Sequence, residues 1–117
     1  MHYSGDLDNP ANHAFREAYN KAYGKMPNVF SVQGYDAAEL IIKALTQVGG
    51  DTGATGDLIK SMAAAEFPDS PRGPWRMSAA HNPIQDIYLR EVRDGKQKLL
   101  GVAAKDLEDP AEGCNMA

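Results

Sequence analysis

The stretch Pro27 to Gly50, PNVFSVQGYDAAELIIKALTQVGG, constrains this chain more than any other. It carries the longest run of helical periodicity in the sequence. Ala38, Ile41, Ile42, Leu45 and Val48 follow the i, i+3, i+4, i+7 rule, and Ala37, Leu40 and Ala44 lie beside them. So wide an apolar stripe belongs to a helix buried over much of its circumference, and something large has to cover it. Glu39, Lys43 and Gln47 mark the wet edge, with Glu39 and Lys43 in the favoured order for an ion pair. Gly49 and Gly50 end the helix, because glycine takes the left-handed conformation there without a clash. Val29 to Val32 is expected to be extended before the helix begins.

On the N-terminal side, His2 to Ser4 reads as the end of a strand. Asn9-Pro10 is a helix start, with Asn as the N-cap and Pro at the first helical position. That helix should run to Tyr23, with Ala11, Phe15, Ala18, Tyr19 and Ala22 on one face and Gly24 as its stop. On the C-terminal side, Asp57 to Glu66 is expected to be a third helix. Phe67 to Pro74, with three prolines and Gly73, reads as irregular chain. Trp75 to Ser78 is expected to be a short strand. Ile84 to Leu100 is a β-hairpin signal centred on the two-residue turn Asp94-Gly95, with a return strand from Lys96 to Val102. Tyr88, Arg90 and Val92 should share one face of the first hairpin strand. The tail, residues 103–117, mixes Pro, Gly and acidic residues and is expected to be loosely held.

Length and charge narrow the function. The chain's 117 residues suit a single domain, and a net charge of -4 with no two basic residues adjacent argues against a nucleic-acid partner. No apolar run approaches the ~20 residues of a membrane span. The opening MHYSGDLDNP lacks a basic segment before an apolar core, so it reads as cytoplasmic unless the chain is cut from a longer precursor. Cys114 has no partner cysteine in the chain, and its thiol is expected to be exposed.

His2, His13 and His81 lack metal-ligand spacing, the glycines form no phosphate-binding motif, and no catalytic constellation emerges. The reading is therefore a protein that is not an enzyme and uses no cofactor or metal. Two motifs remain: Gly34-Tyr35-Asp36-Ala37, and Arg72-Gly73-Pro74-Trp75 with His81-Asn82-Pro83. By residue chemistry alone Tyr35 packs in the core, while Asp36 faces water or favours the helix N-terminus. The second motif reads as turn chemistry around one buried indole.

The order of these motifs resembles the C-terminal third of type I periplasmic binding proteins. The likeness runs from Asn9-Pro10-Ala11-Asn12 and Phe15 through Tyr19, Tyr23-Gly24 and Pro27. It continues through Gly34-Tyr35-Asp36-Ala37-Ala38, Ala44-Leu45 and Ser70-Pro71-Arg72-Gly73-Pro74. It closes on His81-Asn82-Pro83, Tyr88, Val92, Asp94-Gly95 and Gly113-Cys114-Asn115-Met116. The branch most similar comprises ABC-transporter receptors for branched-chain amino acids, amides and small aromatic acids.

The resemblance implies an α/β class: a fragment of a type I periplasmic-binding-protein fold, about three helices plus a C-terminal β-hairpin, forming one partial domain over residues 1–117. It also implies a periplasmic solute-binding component of an ABC importer, closing two lobes on an amino acid or small organic acid and docking to a membrane permease. The alternative is a small-molecule sensor of the same fold. In the family, the helix carrying the Tyr-Asp pair presents its early turns to the cleft between the lobes. Tyr35 and Asp36 are thus the expected ligand contacts, Asp36 through a ligand ammonium, with Gln33 and His81 behind them. With most of its lobes missing, a fragment of this kind is expected to form a homo-oligomer.

Overall fold

The computed structural model describes residues 1–113. Helix α1 spans Pro10–Tyr23, α2 Val29–Gln47 and α3 Thr55–Ala63. Strands β1 (Glu66–Phe67), β2 (Trp75–Met77), β3 (Pro83–Arg93) and β4 (Lys96–Leu107) follow. They form one antiparallel sheet in the order β1-β2-β3-β4. Three helices beside a hairpin-based sheet match the expected fragment of the fold.

Local chemistry explains the helix ends. The Asn9 side chain accepts from the Asn12 amide at 2.8 Å, and Gly24 closes α1 at φ 66° with its N–H on Asn20 O. Helix α2 begins earlier than expected, and Val29 to Val32 is helical rather than extended. Asn28 Oδ1 accepts from the amides of Phe30 and Ser31 at 3.0 Å each, while Ser31 Oγ accepts from the Asn28 amide at 3.2 Å. This reciprocal box satisfies the free amides of the first turn and fixes the start at Val29. Helix α2 ends as expected: Gly49 and Gly50 take φ 63° and 82°, and the Gly50 amide reaches back to Leu45 O. The Glu39–Lys43 pair does not form. Lys43 Nζ instead donates to Glu66 O at 2.6 Å and sits 4.9 Å from the Phe67 ring centroid, tying α2 to β1.

Three further boundaries shift. Helix α3 starts two residues before Asp57 and stops at Ala63, because the chain must extend to pair Glu66 and Phe67 with β2. Phe67 is therefore strand rather than irregular chain. The return strand continues past Val102 to Leu107, which pairs with Gln85. Three register shifts interrupt β3–β4 pairing, each with its extra residue on β4. Tyr88 is buried in the core, while Val92, four residues nearer the hairpin turn, is 72% exposed. The turn is as expected, with Asp94 at φ 53° and Gly95 at φ 71°. No strand forms at His2 to Ser4, although Met1 exchanges both backbone hydrogen bonds with Tyr88 beside it, at 2.7 and 3.1 Å.

The core gathers Tyr3, Leu7, Phe15, Val32 and Tyr88, where the N-terminal segment, α1, the start of α2 and β3 converge. The far side of α2 is open. Ile41 and Ile42 are 52% and 57% exposed, and α3 covers only part of the stripe.

Candidate functional site

The structure reverses the roles that residue chemistry alone assigns at the start of α2. Asp36 is buried, and Tyr35 is 42% exposed. The Asp36 carboxylate accepts from Ser70 Oγ at 2.8 Å, and its other oxygen lies 2.7 Å from Arg72 Nε. Both side chains of the ion pair are almost fully shielded from water. Arg72 Nη1 donates to Gln85 Oε1 at 2.7 Å, and the guanidinium stacks 4.6 Å from the Trp75 centroid. Phe67 stacks on Trp75 at 4.4 Å and 13°. The buried indole expected in the second motif is thus the floor beneath an ion pair.

Electrostatics follow from this burial. Loss of water pushes the Asp36 carboxyl above its ordinary range, and Arg72, the Ser70 hydroxyl and the Trp75 indole pull it back. Burial also lowers the Arg72 guanidinium, which the Asp36 charge opposes. The pair is close to neutral as a unit, so Asp36 presents no free carboxylate to a ligand ammonium. That role, expected from the resemblance, conflicts with the geometry. Arg72 is the partner that sequence reasoning missed. The one sequence signal is that Arg72 sits in a motif already singled out; the burial of Asp36, which makes a cation necessary, comes from the structure.

Tyr35 faces the other way, into a cleft between α1 and α2 of about 630 Å³. Small residues of α1, among them Ala14 and Ala18, line it beside Ser31 and Gly34 of α2. Its walls are aromatic. Phe15 lies 5.0 Å from Tyr35 and 5.8 Å from Tyr19, and Tyr19 lies 4.6 Å from Tyr23. The volume falls in the range that takes a small organic ligand. Tilted rings at these separations suit a flat apolar partner, and a phenol adds a hydroxyl at the rim. Burial, then the charges of Glu39 and Asp36, raise the Tyr35 phenol, which is neutral and able to donate at neutral pH.

Gln33 is exposed on α2 and does not line this cleft. His81 is exposed at φ 59° and lines a different hollow, with Leu40, Ile59 and Met77. The structure therefore does not bring His81 together with Tyr35. His13 pairs with Asp8 at 2.9 Å on the surface, and Cys114 lies outside the described residues. Among the described residues no helix is long and apolar enough to cross a membrane.

Comparison with known proteins gives the chain its relatives. The family described as periplasmic binding protein matches over residues 1–97. A solute-binding protein of an ABC transporter from R. palustris, solved in complex with benzoate, is 49% identical with a TM-score of 0.92. The match covers 98% of this chain and 32% of that one. An ABC-transporter substrate-binding protein from Sphaerobacter thermophilus is 26% identical with a TM-score of 0.77, covering 92% of this chain and 30% of that one. A leucine-binding protein from Thermotoga maritima shares the fold at 21% identity and a TM-score of 0.75, covering 87% of this chain and 29% of that one. None of the curated proteins compared with the chain matches it. The chain thus spans about a third of the length of the solved proteins it matches.

Proposed function

This chain belongs to the periplasmic binding protein family, and from that premise we propose that it forms one side of the ligand site of an ABC importer's solute-binding receptor. The ligand class proposed is a small aromatic carboxylate, held between two lobes that close by hinge motion. In this reading the closed receptor works in the periplasm and docks on a membrane permease. The family is one of solute-binding proteins rather than enzymes.

The observation that carries the proposal is the 49% identity, over nearly the whole chain, to a protein solved with benzoate. The site chemistry supports the same class. The wall beside Tyr35 is aromatic and apolar. The nearby carboxylate that would have favoured an amino acid is spent on Arg72. Tyr35 is the proposed contact, and Gln33 and His81 stand outside its cleft.

The test is calorimetry with benzoate and with leucine, on the chain alone and on a chimera that restores the rest of the R. palustris protein. The chain alone lacks the opposing lobe. Each absent hydrogen bond to the ligand's charged group costs roughly 1.5 to 3 kcal/mol, so no tight binding is expected from it. The chimera is expected to bind benzoate and to prefer it over leucine. Preference for leucine would overturn the ligand class, and tight binding by the chain alone would overturn the two-lobe site.

A further inference from the structure

We infer that the loop Ser70–Gly73, acting through Asp36 and Arg72, is the positioning element that sets where Tyr35 stands against α1. The inference rests on the reading of Tyr35 as a ligand contact. The loop is tied to both helices that flank the cleft. On the α1 side, Nδ2 of the N-cap residue Asn9 donates to the Pro71 carbonyl at 3.4 Å. On the α2 side, Asp36 accepts from Ser70 Oγ and meets Arg72 Nε. Pro71, flanked by Ser70 and Arg72, is fully buried.

The sheet pins the loop in turn. The Tyr88 hydroxyl donates to Arg72 O at 2.7 Å, and Gln85 and Trp75 hold the Arg72 side chain. Gly73 fits only as glycine: its φ is 93°, and an added Cβ would lie 2.7 Å from the Tyr88 hydroxyl oxygen. The same tyrosine that buttresses the loop therefore also dictates the residue beside it.

Geometry carries this anchoring to Tyr35. Successive residues on an α-helix stand ~100° apart, so tying Asp36 to the loop turns Tyr35 toward α1. There its ring meets Phe15. Val32, one turn before Asp36, is fully buried on the same face. Apolar burial is non-directional and permits the helix to roll. The Ser70 hydroxyl hydrogen bond is directional and stops it, and the Arg72 charge holds the Asp36 carboxylate in place. Asp36 and Arg72 are thus positioning residues, acting on the ligand through Tyr35.

A double-mutant cycle in the chimera tests this, with benzoate affinity read by calorimetry. Asp36→Asn and Tyr35→Ala are each expected to weaken binding at least tenfold, and the double variant to bind no more weakly than Tyr35→Ala. Simple loss of stability would not produce that non-additivity. Unchanged affinity in Asp36→Asn, or losses that multiply in the double variant, would overturn the inference. Where Asp36→Asn does not fold, Arg72→Lys keeps the charge but loses the planar fork, with the same expected outcomes. Unchanged affinity in Tyr35→Ala would instead overturn the ligand reading. Positioning is then decided in the 117-residue chain by nuclear Overhauser contacts between the Phe15 and Tyr35 rings. Their loss in Asp36→Asn supports the inference, and their persistence overturns it.

Discussion

Tyr3 shows how tightly single residues are committed here. It is 1% exposed, and its hydroxyl donates to Asn12 Oδ1 at 2.8 Å. Asn12 in turn donates to the carbonyls of Gly5 and Leu7 at 3.2 and 2.7 Å. Burial, opposed by Arg16 and aided by Asp6, pushes the Tyr3 phenol up to about 12. The unfolded phenol loses its proton near pH 10 while the folded one keeps it. This contribution to stability is therefore complete below pH 10 and is lost as pH rises through about 12. Tyr3→Phe is expected to cost about 1 to 3 kcal/mol at neutral pH, by stranding Asn12 Oδ1. It should also flatten the fall in urea-unfolding stability above pH 10, leaving the share that the raised Tyr35 and Tyr88 phenols contribute. An unchanged alkaline slope would mean the Tyr3 phenol ionises freely in the folded chain. At this scale the sequence was legible in kind but not in facing. Tyr35-Asp36 stood out, yet which of the two turns inward depends on Ser70 and Arg72, more than thirty residues away. Local periodicity carries no trace of such a pairing.

Elements were legible wherever their signals are local. Asn9-Pro10, Gly24, Gly49-Gly50 and Asp94-Gly95 act within one turn of chain, and each stands where it was expected. The start of α2 was missed because apolar Val29, Phe30 and Val32 read equally well as strand. The Asn28 and Ser31 box decides for helix. Asn28→Ala is accordingly expected to destabilise the chain by about 1 kcal/mol. Hydrogen exchange should show the loss of protection concentrated in the first turn of α2. Protection falling evenly along α2 would contradict a capping role. The length of β4 and the ends of α3 were not legible, because both follow from pairing. Leu107 is strand through its partner Gln85, and Glu66 leaves the helix to meet Arg76.

The molecule as a whole is shaped like a slab. Its radius of gyration is 15.9 Å and its extents are 50 × 37 × 19 Å, against about 13 Å expected for a compact chain of this length. Phe30 is 76% exposed, and Ile41, Ile42 and Ile59 are each more than half exposed. The wide apolar stripe of α2 therefore meets α3 on one flank and leaves Ile41 and Ile42 largely to water. Apolar surface of this kind drives association in water. Light scattering across a dilution series is expected to give a mass above 12.7 kDa that falls on dilution. A constant 12.7 kDa at low micromolar concentration would contradict it. In the proposed receptor this chain supplies the Tyr35 wall of the solute site. Benzoate affinity of the chimera, measured with Tyr35 intact and with Tyr35→Ala, tests this. A loss of more than about tenfold, or roughly 1.4 kcal/mol, is expected. Equal affinity in the two proteins would contradict it.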